Sequence, residues 1–95
     1  MEREVIAAVQ SRLEQTEAAH GEYERNVLGG IRDEEWAEWY SGYLLEHGFD
    51  ALLPGVEDAD ALAALLQEAD ADYQREQPAD GWPEYYAHRL VAAWG

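Results

Sequence analysis

Three things are missing from this 95-residue chain, and each closes off a class of function. Cysteine is absent, which removes disulfide staples, thiolate catalysis and Cys-ligated zinc together. Lysine is absent as well, so the six basic residues are all arginine, set against 21 acids for a formal net charge of −15. Long apolar runs are the third absence, because no stretch approaches the ~18 residues that a membrane span requires. Such a negative surface repels phosphate, and neither nucleic acid nor an anionic membrane is an expected partner. It favours solubility, and it can steer a basic protein partner or a divalent cation towards the molecule. The plain reading of the acids is a solvated face suited to a salty cytoplasm, and the lack of lysine also fits a GC-rich genome.

The N-terminus, Met1-Glu2-Arg3-Glu4, carries both signs of charge, and the apolar stretch from Val5 to Val9 is too short and too acidic in its flank for a secretory signal. A cytoplasmic protein is expected. What is abundant is apolar and aromatic: 47% of residues are hydrophobic, and four Trp, six Tyr and one Phe make eleven rings. That composition argues for a packed core rather than disorder, in a single domain over residues 1–95. A core of this size hides roughly 60–65% of the surface of the unfolded chain.

The apolar spacing is helical throughout. Ile6, Val9, Leu13, Thr16, His20, Tyr23 and Val27 recur in steps of three and four, which places them on one helix face. Gly21 weakens that helix and marks a place where it can bend or end. Leu28-Gly29-Gly30-Ile31 reads as a turn with two apolar anchors. Asp33 is suited to cap a second helix, whose face is Trp36, Trp39, Tyr40, Tyr43 and Leu44. Gly48 is placed to stop it, with Phe49 packing inward behind the stop. Leu52-Leu53-Pro54-Gly55 then reads as a connector. Asp58 or Glu57 caps a third helix with Leu62, Leu65, Leu66, Ala69 and Tyr73 inward, and Gln77-Pro78-Ala79-Asp80-Gly81 breaks it. A fourth helix opens at Trp82-Pro83 and shows Trp82, Tyr85, Tyr86, Leu90 and Ala93 on one side. No strand-length alternation is present, so the expected fold is all-α with four helices.

The chain also repeats itself. Trp36-Ala37-Glu38-Trp39-Tyr40-Ser41 matches Trp82-Pro83-Glu84-Tyr85-Tyr86-Ala87 at an offset of 46, and Leu44-Leu45 and Leu90-Val91 continue the register. Upstream, Ala19, Tyr23 and Arg25 match Ala69, Tyr73 and Arg75 at an offset of 50. The four-residue difference falls in the loop before each Trp, where insertion is easiest. The expectation is two duplicated helical hairpins, over approximately residues 1–48 and 57–95, burying their apolar faces on each other about a pseudo-two-fold axis.

Three constellations could carry chemistry. The repeated box of Trp36, Trp39 and Tyr40 with Trp82, Tyr85 and Tyr86 is in the simplest case core, with each N–H and O–H finding a partner. It could instead line an aromatic pocket for an apolar or cationic ligand, with Glu38 and Glu84 at the rim. Arg25 and Arg75 are expected to pair with the Glu of each box and tie each hairpin together, the alternative being an anionic ligand. His20 and Asp70 occupy equivalent inward positions, each three residues before a repeated tyrosine. If the halves bring them together, they form an acid–base or metal-binding cluster with Tyr23 and Tyr73; otherwise each is a structural hydrogen-bonding group. His47 complements a helix dipole, and His88 is expected to be exposed. Asp58-x-Asp60 and Asp70-x-Asp72 lack the Gly and closing Glu of an EF-hand loop. No catalytic triad spacing, phosphate loop, dinucleotide fingerprint, cofactor motif or metal motif is present. The leading expectation is a non-catalytic protein-interaction module, monomeric or homodimeric, with a basic protein as its partner. The alternative is a small-molecule or metal-ion binding domain with its site at the pseudo-two-fold, where the two halves break their match: His20 against Asp70, Trp39 against Tyr85, Tyr43 against Arg89.

Overall fold

Helical periodicity becomes helix along the whole chain. The computed structural model describes residues 2–31, 33–79 and 81–94; Met1, Arg32, Asp80 and Gly95 lie outside the described residues. Five helices follow in order among the described residues: α1 (Glu2–Asn26), α2 (Trp36–Glu46), α3 (Phe49–Leu52), α4 (Ala59–Glu76) and α5 (Trp82–Trp94). No strand occurs among the described residues.

The expected count of four helices is corrected to five. Gly48 adopts a left-handed φ of 79° and stops α2 as the sequence suggested, but the chain coils again at once into the single turn of α3. Phe49 and Leu53 are fully buried around that turn, so the apolar connector is a short helix pinned by its own core residues. A second difference concerns α1, which runs unbroken through Gly21 to Asn26. Propensity loses there to tertiary packing, since Thr16 and His20 just before the glycine are buried. A third concerns the start of α2. Asp33 sits too far upstream to cap it, and Glu35 is the N-cap residue with no side-chain cap bond. Asp58, by contrast, caps α4 as expected, its Oδ1 accepting from the Ala61 amide at 2.8 Å.

The packing forms a closed circuit in which α1 lies against α5, α5 against α4, α4 against α2 and α2 against α1, while α3 closes one end against α1 and α2. Among the described residues the diagonal partners, α1 with α4 and α2 with α5, do not meet backbone to backbone. The molecule spans 41 × 30 × 20 Å with a radius of gyration of 12.9 Å, close to the ~12.4 Å that a globular chain of this length gives. Among the described residues no helix is long and apolar enough to cross a membrane.

Small residues set the helix contacts. On α2 the buried stripe is Ala37, Tyr40, Ser41 and Leu44, and on α5 it is Tyr86, Ala87, Leu90 and Val91. Ala37, Ser41 and Ala87 let neighbouring backbones approach, so the bulky Trp36, Trp39, Tyr43, Trp82 and Tyr85 are displaced to the flanks and remain half-buried. Of the two expected anchors of the turn after α1, Leu28 is half-buried and Ile31 is 72% exposed, while Val27, expected on the inward helix face, is 67% exposed. The Gly30 amide closes the helix end on the Glu24 carbonyl at 2.8 Å. Buried hydroxyls are satisfied locally: Thr16 donates to the Arg12 carbonyl at 2.6 Å and Ser41 to the Ala37 carbonyl at 2.8 Å.

Candidate functional site

The displaced rings are not distributed at random. Between α1, α2, α4 and α5 lies an open recess of about 350 Å³. Five of its walls are aromatic: Trp36 and Tyr40 from α2, Tyr73 from α4, and Trp82 and Tyr86 from α5. Four more are carboxylates: Glu17 and Glu24 from α1, Asp33 from the turn before α2, and Asp70 from α4. His20 and Gln74 complete the lining.

The rings meet in a continuous chain, edge to face at three of its four contacts and tilted at the Tyr40–Trp82 contact. Trp36 and Tyr40 stand at 86° with centroids 5.4 Å apart, Tyr40 and Trp82 at 58° and 6.2 Å, Trp82 and Tyr86 at 63° and 5.0 Å, and Tyr86 and Tyr73 at 86° and 6.4 Å. An edge-to-face pair covers the face of only one ring, so such a chain leaves π-faces unstacked. The other ring series behaves differently. Tyr23, Trp39, Tyr43 and His47 stack in succession at 27°, 13° and 23°, hiding faces against one another and stitching α1 to α2.

Each carboxylate of the recess is held by a donor. Glu17 accepts from the Trp82 indole at 3.2 Å, and Asp70 accepts from the Tyr86 hydroxyl at 2.8 Å. Asp33 is clamped three ways: its own amide donates to Glu24 at 2.9 Å, its Oδ1 accepts from the Glu35 amide at 2.9 Å, and its Oδ2 lies 2.9 Å from His20 Nε2. A carboxylate only accepts, so His20 Nε2 carries the hydrogen in that bond. His20 is 7% exposed, with Glu24 3.9 Å from its Nδ1 and the rings of Trp39 and Tyr40 within 5.2 Å. Burial pushes the Tyr40 phenol well above its ordinary range, and the charges of Glu17 and Glu24 add to the shift. Tyr86 is raised in the same way, first by burial and then by its hydrogen bond to Asp70 and the charge of that carboxylate.

His20 and Asp70 therefore share a recess without pairing: His20 bonds to Asp33 and Asp70 to Tyr86. Tyr73 lines the recess, whereas its counterpart Tyr23 stacks on Trp39 outside it. Of the two boxes, Trp36, Tyr40, Trp82 and Tyr86 line it, and Trp39 and Tyr85 do not. The expected arginine ties are corrected. Arg75 reaches Asp72 at 2.5 Å and Glu76 at 3.7 Å on its own helix rather than Glu84, and Arg25 makes no ion pair among the described residues. Three to four residues along one helix is closer than a partner across the hairpin, and the long side chain takes the nearer acid. The α4–α5 tie is made instead by Arg89, which bonds Asp72 and lies 3.6 Å from Glu68. The rim acids expected from the boxes are also replaced: Glu38 is exposed, and Glu84 lies 4.0 Å from His88.

Glu17, Glu24, Asp33 and Gln74 were not among the expected site residues. Three of them carried a signal, because Glu17 and Glu24 stand three before and four after His20, and Gln74 four after Asp70, on the same helix faces. Among the described residues, no group of three or more His, Asp or Glu is disposed to hold a metal ion. The chain matches no family model, and no curated protein or solved structure resembles it significantly.

Proposed function

We propose that this protein is a small-molecule-binding domain whose ligand occupies the recess between α1, α2, α4 and α5. The observation that carries the reading is the convergence of five rings and four carboxylates, from all four long helices and the turn before α2, on one open recess of about 350 Å³. That volume falls within the ~300–1,000 Å³ of ordinary ligand sites. The recess also fits the duplicated-hairpin reading of the sequence. Trp36 and Trp82, Tyr40 and Tyr86, and His20 and Asp70 are matched pairs, and both members of each line it. Glu24 and Gln74, again 50 residues apart, do the same. We therefore read the fold as two related hairpins whose pseudo-two-fold axis runs through the recess.

A protein-interaction module draws less support. A broad exposed apolar patch would mark such a surface, and among the described residues the large apolar side chains that stand exposed are Val27 and Ile31 beside the Gly29-Gly30 turn. A metal-binding domain draws less still, because the acids of the recess are spread across three elements among bulky rings. The test is a thermal-shift screen of neutral, anionic and cationic metabolites. A ligand at 100 times its dissociation constant adds ~2.7 kcal/mol, which raises the midpoint of a domain this size by more than ~10 °C. Trp36→Leu, which removes one wall, should abolish the shift. A complete screen with no shift in any class would refute a ligand site in the recess.

A further inference from the structure

We propose that the recess selects a linear organic polycation, a di- or polyamine, with its ammonium groups at the carboxylates and its methylene chain across the rings. The inference rests on the binding-site reading above and adds the chemical class of the ligand. Acids alone do not distinguish a site from a solvated face, and three further features of this recess do.

The first is that its charge is fixed in place without being cancelled. No Lys exists in the chain, and among the described residues no Arg lines the recess. Glu17 is held by an indole, Asp70 by a phenol and Glu24 by an amide, all of them neutral donors. His20, the one basic group among the described lining residues, is bonded to Asp33 and lies 3.9 Å from Glu24, so a single base is set against four acids. A carboxylate offers about four lone-pair positions, so each acid keeps capacity for an ammonium N–H. The second feature is the walls. Unstacked faces of Trp and Tyr attract a cation, and ring pairs that stand near perpendicular offer such faces on more than one side. The Tyr40 and Tyr86 phenols are raised first by burial, and the charges of Glu17 and Glu24 at one and of Asp70 at the other add to the shift.

The third feature sets the valence. Glu17, Glu24 and Asp33 belong to α1 and the turn before α2, while Asp70 belongs to α4, which is the diagonal partner of α1. The recess thus takes three acids from α1 and the turn before α2 and a further one, Asp70, from a helix that does not pack against α1, with five aromatic rings in the same lining. A single ammonium satisfies one of these two sets only. A linear diamine satisfies both, and its apolar stem crosses ring surface that a hydrated metal dication would leave unused.

The experiment is calorimetric titration of the full chain, at physiological ionic strength, with 1,4-diaminobutane, spermidine, tetramethylammonium, 1,4-butanediol, succinate and magnesium chloride. Spermidine and the diamine should bind, tetramethylammonium should bind at least tenfold more weakly, and the diol and the dianion should not bind. Asp70→Asn keeps an acceptor for the Tyr86 hydroxyl and should weaken diamine binding tenfold or more. Asp50→Asn, exposed on α3 and away from the recess, should leave it unchanged. Glu24→Gln provides the same test at an acid of α1 should Asp70→Asn fail to fold. Equal diamine affinity in Asp70→Asn and Asp50→Asn would overturn the proposal, because attraction would then belong to the acidic surface as a whole. Magnesium displacing the diamine from the recess would overturn it too. Tight binding of the diol or the dianion in the recess would refute the cation class while leaving a ligand site intact, and silence from every compound class refutes the site itself.

Discussion

Because the chain contains neither lysine nor cysteine, its alkaline stability reports on the recess almost alone. Tyrosine is the one kind of side chain present whose ordinary titration falls between about pH 9 and about pH 12, since arginine stays protonated. Tyr40 and Tyr86 are 7% and 4% exposed. Burial, aided by Glu17 and Glu24 at one and by Asp70 at the other, holds both phenols protonated above the ordinary range. In the unfolded chain they ionise near ~10. Below that pH both states keep the protons, and the stability due to this pair is fully present. Above it the unfolded chain binds fewer protons than the fold, so stability falls as pH rises towards the folded value. Each tyrosine removes ~1.4 kcal/mol per pH unit, and the two together remove ~5 kcal/mol between pH ~10 and ~12. A domain of this size holds a total of only ~5–15 kcal/mol, so the helices should melt in that window. The measurement is urea unfolding by circular dichroism at a series of pH values, with tyrosinate absorbance followed in parallel. A two-tyrosine absorbance step should appear only as helical signal is lost, and Tyr40→Phe with Tyr86→Phe should remove the excess slope. Ionisation of all six tyrosines with the helical signal intact would refute the burial argument.

Four further outcomes follow from single contacts. Asp58→Ala deletes the α4 cap and should cost ~1 kcal/mol, a fall of ~5 °C in the thermal midpoint. Phe49→Ala empties a fully buried site and should cost ~3–5 kcal/mol, whereas Ile31→Ser at an exposed one should stay within ~0.5 kcal/mol; similar losses at both would contradict the packing. Gln77 caps α4 with a left-handed φ of 47°, so Gln77→Gly should raise the thermal midpoint, by up to ~1 kcal/mol of stability, and a lowered midpoint would show the strain to be absent. Asp72 is held below the usual carboxylate range by Arg89 and Arg75, so its contribution is present above pH ~4 and lost as pH falls through the folded value. A titration of its carboxyl by NMR should move up towards the ordinary value in Arg89→Gln.

The helices were legible because their cause is periodic. A step of three and four residues survives any local disturbance, and Asp58 and Gly48 punctuate it by chemistry that needs no tertiary partner. The short α3 was not legible, because four residues carry too little period to register and its turn is held by Phe49 and Leu53 in a core assembled from elsewhere. The start of α2 failed for a different reason. Asp33 has two carboxylate oxygens, and sequence reasoning assigns a capping Asp to one local amide. Here Oδ1 serves the Glu35 amide while Oδ2 reaches back 13 residues to His20. Once one oxygen is assigned, nothing in the sequence advertises the other.

The recess shows the same division at higher level. Two positions where the repeat agrees, Tyr40 with Tyr86 and Leu44 with Leu90, are buried in both helices, as shared packing requires. Where the repeat disagrees, neighbouring helices are joined by different chemistry. Tyr43 continues a stacked ladder between α1 and α2, while Arg89 at the matching place reaches Asp72 and ties α5 to α4 by charge. His20 and Asp70 diverge likewise, the base drawing in Asp33 and the acid taking the Tyr86 hydroxyl. A strictly repeated histidine would have placed a second base in the lining, and a strictly repeated aspartate would have left no group to fix the turn before α2. With one of each, the turn is anchored from α1 and a carboxylate enters the lining from α4. On the duplicated-hairpin reading, that mismatch is what turns two similar packing surfaces into a recess with acids from both halves.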